Sequence, residues 1–320
     1  MFLLLAACAQ DNGFARRTQT DIFLQEPMAQ VDILWVVDNS HSMSEEQDLL
    51  AEGFDAFVQN LEETNIDFHL AVVSTDMDLE NNKRGVMLGA PHVLTVDTPS
   101  YKGHFKTRVK VGTDGSDKEK GITAALTALT EPLVSGKNEG FLREDATLAI
   151  IFVSDENDCS DNEALAGVES GACYTQQDSL VSVRDAVLDL KALKKPGIRV
   201  MASAIVGPKA ADSCDGTWPG HRYIGMANGT GGLLGDICES DYSSVMSDMG
   251  LSVSGVLSTF QLTYFAIEES LVVTVDDVEI PNDPVDGWTY DSENRLVRFD
   301  GDYVPDRGST IHADYEIGGG

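Results

Sequence analysis

At 320 residues the chain is long enough to bury a sizeable core, and a hydrophobic fraction of 42% fits a globular protein and excludes a disordered one. A net charge of -31 excludes DNA, RNA and anionic membrane surfaces as partners, because phosphate recognition needs clustered Lys and Arg. The acidic residues are spread along the chain, as expected of a strongly solvated surface.

The chain opens with Met1-Phe2-Leu3-Leu4-Leu5-Ala6-Ala7-Cys8. This short apolar run resembles the bacterial lipoprotein signal, which implies cleavage, lipidation of Cys8 and an envelope location. Ala9 in place of Asp after the cysteine implies retention at the outer membrane, facing the periplasm or the surface. No other stretch is apolar and long enough to span a bilayer. Residues 9–29 are polar and read as a tether. Val31–Val37 reads as a buried strand, and Met43–Glu62 as a helix with Leu50, Phe54, Phe57, Val58 and Leu61 on one face. Ser42 and Glu45 have capping-box spacing at its start. Phe68–Ser74 is a second strand, residues 76–110 are irregular, and Val93–Val96 is a candidate strand within them. Ile122, Ala125, Leu126 and Leu129 mark a helix, Ala146–Val153 a purely buried strand, and Leu180, Val183, Val187 and Leu190 another helix. Arg199–Val206 is the next strand, followed by helices over Tyr223–Ala227 and Tyr242–Leu257.

Apolar strands separated by amphipathic helices predict an α/β fold with a doubly wound, mostly parallel sheet over residues 30–259. From residue 260 to 320 the pattern changes to short strands, Leu271–Val275, Leu296–Phe299 and Thr310–Tyr315, broken by turns such as Pro281-Asn282-Asp283-Pro284. That stretch predicts a small C-terminal all-β domain. Setting Cys8 aside, Cys159, Cys173, Cys214 and Cys238 suit two disulfides in an exported protein, with Cys159–Cys173 and Cys214–Cys238 the sequence-local pairing. A zinc site lacks its Cys-x-x-Cys and histidine spacing.

The chemistry gathers at strand ends. Asp38 ends the first strand and Ser40 and Ser42 follow it at alternate positions; Asp155 follows the strand Ala146–Val153. In an open parallel sheet both loops leave from one edge, where ligands bind. Oxygen-only donors with no basic neighbour in sequence suit a hard cation. The loop Val111–Ile122 adds hydroxyls at Thr113 and Ser116. Together these features resemble the von Willebrand factor type A family over about residues 29–258, and its metal-ion-dependent adhesion site in particular. The resemblance implies that Ser40 and Ser42 bind the cation directly and that Asp38 and Asp155 act directly or through water. It assigns the third loop to Ser116, with Thr113 as the alternative. It implies Mg²⁺, with Mn²⁺ or Ca²⁺ as alternatives, and a protein partner whose carboxylate completes the shell. Asp76 and Asp78 lie at the opposite edge if their strand is antiparallel, as in the family; otherwise they line the site. Glu156 and Asp158 read as a polar loop, with a second cation site as the alternative.

No Ser-His-Asp set, Gly-x-Ser-x-Gly elbow or phosphate loop is assignable, so the reading is a binding protein and not an enzyme. Two other readings stay open: a metal-assisted hydrolase using the same cation, and a structural envelope protein stiffened by it.

Overall fold

The computed structural model describes residues 17–25, 30–78, 84–208, 214, 216–255, 259–292, 294–306 and 308–318. The signal-like run, with Cys8, lies outside them. The chain divides into two compact units, Met28–Gly255 and the two ends taken together, Met1–Pro27 with Val256–Gly320.

The larger unit is built on strands β2 (Gln30–Val37), β3 (Asp67–Ser74), β4 (Thr147–Ser154), β5 (Val200–Val206) and β6 (Leu234–Asp236), hydrogen-bonded in the order β3-β2-β4-β5-β6. Every pairing in this sheet is parallel. Side chains alternate across it. From β2, Val31, Ile33, Trp35 and Val37 face helices α1 (Ser44–Glu63), α2 (Tyr101–Arg108) and α7 (Ser243–Ser254). Leu34 and Val36 face the other way, toward α3 (Gly121–Ala128), α5 (Val183–Ala192) and α6 (His221–Thr230). A short α4 (Ala172–Thr175) lies in the loop after β4. Trp35 anchors the first face, meeting Phe57 edge-on at 5.1 Å and Phe105 at 5.4 Å.

The expected architecture is corrected by the sheets. A doubly wound, mostly parallel sheet of von Willebrand type A or Rossmann kind with a C-terminal β appendage does not describe this chain. Its described residues form one wholly parallel sheet and two antiparallel ones. The smaller unit takes β1 (Thr18–Leu24) from the stretch read as a tether and pairs it along its whole length with β12 (Thr310–Glu316). That sheet continues to β8 (Val272–Val275) and β9 (Val278–Glu279), while β10 (Gly287–Asp291), β11 (Leu296–Asp300) and β7 (Thr259–Gln261) form the third. Phe260, Val273, Trp288, Val297, Phe299, Ile311 and Tyr315 fill its core. Asp21 of β1 is buried there and accepts from the Thr263 backbone at 2.7 Å and the Tyr315 hydroxyl at 2.8 Å. β1 was illegible because its Thr-Gln-Thr-Asp start is polar, and only its partner strand makes it a strand.

Other departures are local. β3 runs parallel to β2, which moves Thr75 and Asp76 to the carboxyl edge. Val93–Val96 gives one antiparallel bridge, Leu70 to Leu94, instead of a strand. The polar helix α2 went unread. Helix α1 starts with no side-chain cap, so the Ser42–Glu45 box is not made. The structure joins Cys159 to Cys173 and Cys214 to Cys238, with Cα atoms 5.2 and 5.6 Å apart. Among the described residues no helix is long and apolar enough to cross a membrane.

One charge is fixed at the amino end of β2. Asp32 is fully buried and meets the Arg143 guanidinium at 2.7 Å and the Lys194 ammonium at 3.0 Å. Lys194 also donates to the Arg143 carbonyl. Removing one partner of a buried pair strands the other in low dielectric. Asp32→Ala is therefore expected to cost about 3–5 kcal/mol of unfolding free energy in urea titrations. A loss below about 1 kcal/mol, the range of exposed pairs, would contradict the role given to Asp32.

Candidate metal centre

Parallel register brings three strand ends level. Val37 pairs with Ser74 on one side and Val153 on the other, so Asp38, Thr75 and Ser154 leave the sheet side by side. The Asp38 backbone N–H donates to the Val153 carbonyl at 2.9 Å and the Thr75 N–H to the Val37 carbonyl at 3.1 Å. The Asp38 side chain is wholly buried. One carboxylate oxygen accepts from the Ser40 N–H at 2.7 Å, and the other from the Ser154 hydroxyl at 2.6 Å. Gln47 of α1 holds the loops together, donating to the Asp38 carbonyl at 2.9 Å and the Gly112 carbonyl at 2.8 Å.

The serine hydroxyls are free of capping duty and face each other, Ser40 Oγ to Ser42 Oγ at 3.4 Å. Ser40 is nearly buried and Ser42 is exposed, so this corner opens to solvent. The Ser42 hydroxyl lies near enough to the Asp155 carboxyl to oppose the rise that burial imposes on it. Asp155 Oδ1 is buried with no hydrogen-bond partner. The expected set of Asp38, Ser40, Ser42 and Asp155 is thus brought to one place. His41, between the serines, is exposed.

The third loop is placed differently. Gly115 donates its N–H to the Asn39 carbonyl at 2.8 Å, so the loop does reach the motif. A β-carbon at Gly115 would lie 2.4 Å from the Asn39 side-chain amide, so a larger residue there would have to displace that amide. Ser116, however, accepts from the Lys118 N–H at 3.3 Å and lines a neighbouring cavity of about 570 Å³ whose walls include none of Asp38, Ser40, Ser42 or Asp155. Thr113 is half-buried in the same loop.

The group this loop delivers beside Asp38 is Glu119, which the sequence reading did not single out. Glu119 is buried; Thr75 donates to its Oε2, and its Oε1 has no partner. The Cys159 N–H donates to its carbonyl at 2.5 Å. No side-chain pattern announces it: Glu119 sits in an Asp-Lys-Glu-Lys run that reads as solvated surface. Ser154, Thr75 and Gln47 were missed for the same reason, since each acts through a single hydrogen bond set by register. Asp158, weighed as a second cation ligand, is fully engaged elsewhere. It caps α3, accepting from the Ile122 N–H at 3.0 Å, and also accepts from Arg222 at 3.0 Å and from Ser160. Asp76 is buried and accepts from the Asp78 N–H at 2.9 Å, while Asp78 lines the neighbouring cavity.

The site is electrostatically unbalanced. Burial pushes the Asp38 carboxyl up to about 6, against the Ser154 and Ser40 hydrogen bonds, and the Asp155 charge adds to the rise. Burial, then the charge of Asp38, holds Glu119 well above the carboxylate range. Burial raises Asp155 despite the nearby Ser42 hydroxyl, and burial with the charges of Asp38, Asp155 and Asp117 takes Glu156 up to about 7. Among the described residues no Lys or Arg forms an ion pair with any of these four. Among the described residues, too, no three His, Cys, Asp or Glu side chains converge closely enough to hold a metal by themselves. A cation at this edge would need the serine hydroxyls. Buried carboxylate oxygens without donors are what such a cation would satisfy, and in that sense the donor set fits.

Carboxyls whose folded values are raised favour the folded state below their unfolded values, and that contribution is lost as pH rises through the folded ones. In metal-free buffer the melting temperature is expected to fall between about pH 4 and pH 7, and Glu119→Gln should make the fall shallower. A melting temperature that climbs steadily through that window in EDTA would contradict the assignment.

No protein-family profile matches this chain, and no curated protein matches it in sequence. Among solved structures it is similar to the pilus adhesin SpaC of Lactobacillus rhamnosus GG, at a TM-score of 0.46 and 12% identity over 90% of this chain and 39% of that one. It is also similar to proximal thread matrix protein 1 of the mussel byssus, at 0.42 and 15% over 75% and 51%, and to the pilus adhesin RrgA of Streptococcus pneumoniae, at 0.37 and 8% over 97% and 60%. This chain spans less than two thirds of each of those chains, and similarity at this level carries no functional argument.

Proposed function

We propose that this chain is a cation-dependent binding protein of the adhesive kind. Asp38, Ser40, Ser42 and Asp155 would hold a divalent cation, with Glu119 as the carboxylate behind Asp38. The observation that carries this reading is two buried carboxylate oxygens without a hydrogen-bond partner, Asp155 Oδ1 and Glu119 Oε1, on residues whose charges act on Asp38 or feel its charge. Resemblance of the Asp38-x-Ser40-x-Ser42 run to a metal-ion-dependent adhesion site supports it. A bound cation would supply a Lewis-acidic position open at Ser42, into which a partner protein's carboxylate fits in place of water. Hydroxyl and carboxylate oxygens favour Mg²⁺, with Mn²⁺ or Ca²⁺ as alternatives. Two disulfides suit an oxidising compartment. With the signal-like run ending at Cys8, they support a lipid-anchored place in the bacterial envelope.

Mn²⁺ followed by electron paramagnetic resonance tests the assignment directly. The full chain is expected to bind Mn²⁺, and the double variant Asp38→Ala, Ser40→Ala to bind it at least about tenfold more weakly. Adding a capped aspartate peptide should lower the water relaxivity of the bound ion, while the asparagine peptide should not. Unchanged Mn²⁺ affinity in the double variant would sink the proposal.

A further inference from the structure

Trp218 is 54% exposed, whereas the other two tryptophans, Trp35 and Trp288, are 0% and 3% exposed. Its backbone N–H donates to the carbonyl of Asp155 at 2.7 Å, so it stands directly beside a proposed ligand. Its ring meets that of Tyr174 with centroids 5.3 Å apart and planes inclined at 40°. Both rings ride on cross-linked loops. Cys173 precedes Tyr174 and is tied to Cys159, while Cys214 precedes Trp218 and is tied to Cys238. The bridge from Gly207 to Pro219 fixes the same backbone from the β5 side. A β-carbon at Gly207 would fall 2.2 Å from the Trp218 carbonyl oxygen, so this approach requires glycine. An exposed indole on a backbone fixed in this way, with a ring already against it, has less ordering cost left to meet when a ligand arrives, as at aromatic hot spots of interfaces.

The surroundings decide what it would receive. Asp38, Asp155 and Glu156 crowd one end of the sheet beside Glu119, which is held protonated, and a divalent cation offsets two of those three carboxylate charges. A partner carboxylate would add to the excess. The field reaches the aromatic pair: burial, then the charges of Glu156 and Asp155, pushes the Tyr174 hydroxyl up to about 12. An aliphatic or acidic neighbour gains nothing from such a field, whereas a cation gains both from it and from the indole face.

We propose that Trp218, stacked on Tyr174, is a specificity-determining residue of the cation site, receiving an arginine or lysine side chain that the partner carries next to the carboxylate it presents. This rests on the cation reading above.

A synthetic peptide array with a fixed central aspartate and every residue at the flanking positions, incubated with the full chain in Mg²⁺ or in EDTA, tests it. The expected result is Mg²⁺-dependent binding with Arg and Lys selected beside the aspartate. Trp218→Ala should weaken the Arg-flanked peptides by about 3- to 30-fold, down to the level of the Ala-flanked ones, while Trp218→Phe keeps most of the preference. Acrylamide quenching of the exposed tryptophan should fall when an Arg-flanked peptide binds. Mg²⁺-dependent selection of aspartate with no basic preference, or with one that survives Trp218→Ala, would overturn the role of Trp218 and leave the cation site standing. Binding that is indifferent to Mg²⁺ and to the aspartate would overturn the cation reading, and this proposal with it.

Discussion

The larger unit depends on how one strand handles two buried aspartates. β2 carries Asp32 at its amino end and is followed by Asp38 at its carboxyl end, and neither is accessible to water. Asp32 is neutralised by Arg143 and Lys194. Asp38 accepts from the Ser154 hydroxyl and the Ser40 backbone, and its neighbours at that edge are further carboxyls, with Glu119 in hydrogen-bond reach. Desolvating a carboxylate without a counter-charge costs several kcal/mol, and crowding several together compounds the cost. The fold answers this problem with a salt bridge at one end of the strand; at the other the raised carboxyls answer it by holding protons, and the proposed cation would supply the missing charge instead.

The rest of that unit serves this edge. Parallel pairing of β3, β2 and β4 sets Thr75, Asp38 and Ser154 abreast, and the apolar faces on both sides of the sheet keep water out beneath them. Gln47 ties helix α1 to two of the loops, and Asp158 ties the loop after β4 to the start of α3, which fixes Glu119 just before it. The disulfide from Cys159 braces the same loop. Asp158 is thereby structural, for all its proximity, because both of its carboxylate oxygens are taken up by Ile122, Ser160 and Arg222.

Much of the site was readable because it lies in consecutive residues. An apolar strand halted by Asp38-x-Ser40-x-Ser42, and a second halted before Asp155, needed only the period of the strands and the rule that ligands bind at carboxyl edges. Glu119 was not readable, since nothing in its own neighbourhood separates a buried glutamate from a solvated one. Its burial comes from Thr75 and Asp38, which are distant in sequence. Ser116 had the expected spacing but turns its hydroxyl to its own loop. The fold class was misread where elements depend on remote partners: β1 is a strand only against β12, and β3 takes its parallel sense from β2. The all-β character of the last sixty or so residues was legible from their turns, but not that the amino-terminal segment completes the sheet.

We propose that the carboxyl edge of the parallel sheet is built around a divalent cation. Anomalous diffraction at the manganese edge, from crystals of the full chain grown with Mn²⁺, tests it most directly. The account expects an anomalous peak enclosed by Asp38, Ser40, Ser42 and Asp155, displaced when Mg²⁺ is added in excess. A fully occupied peak elsewhere, or an ordered Asp38–Glu119–Asp155 cluster with no peak at all in saturating Mn²⁺, would contradict it.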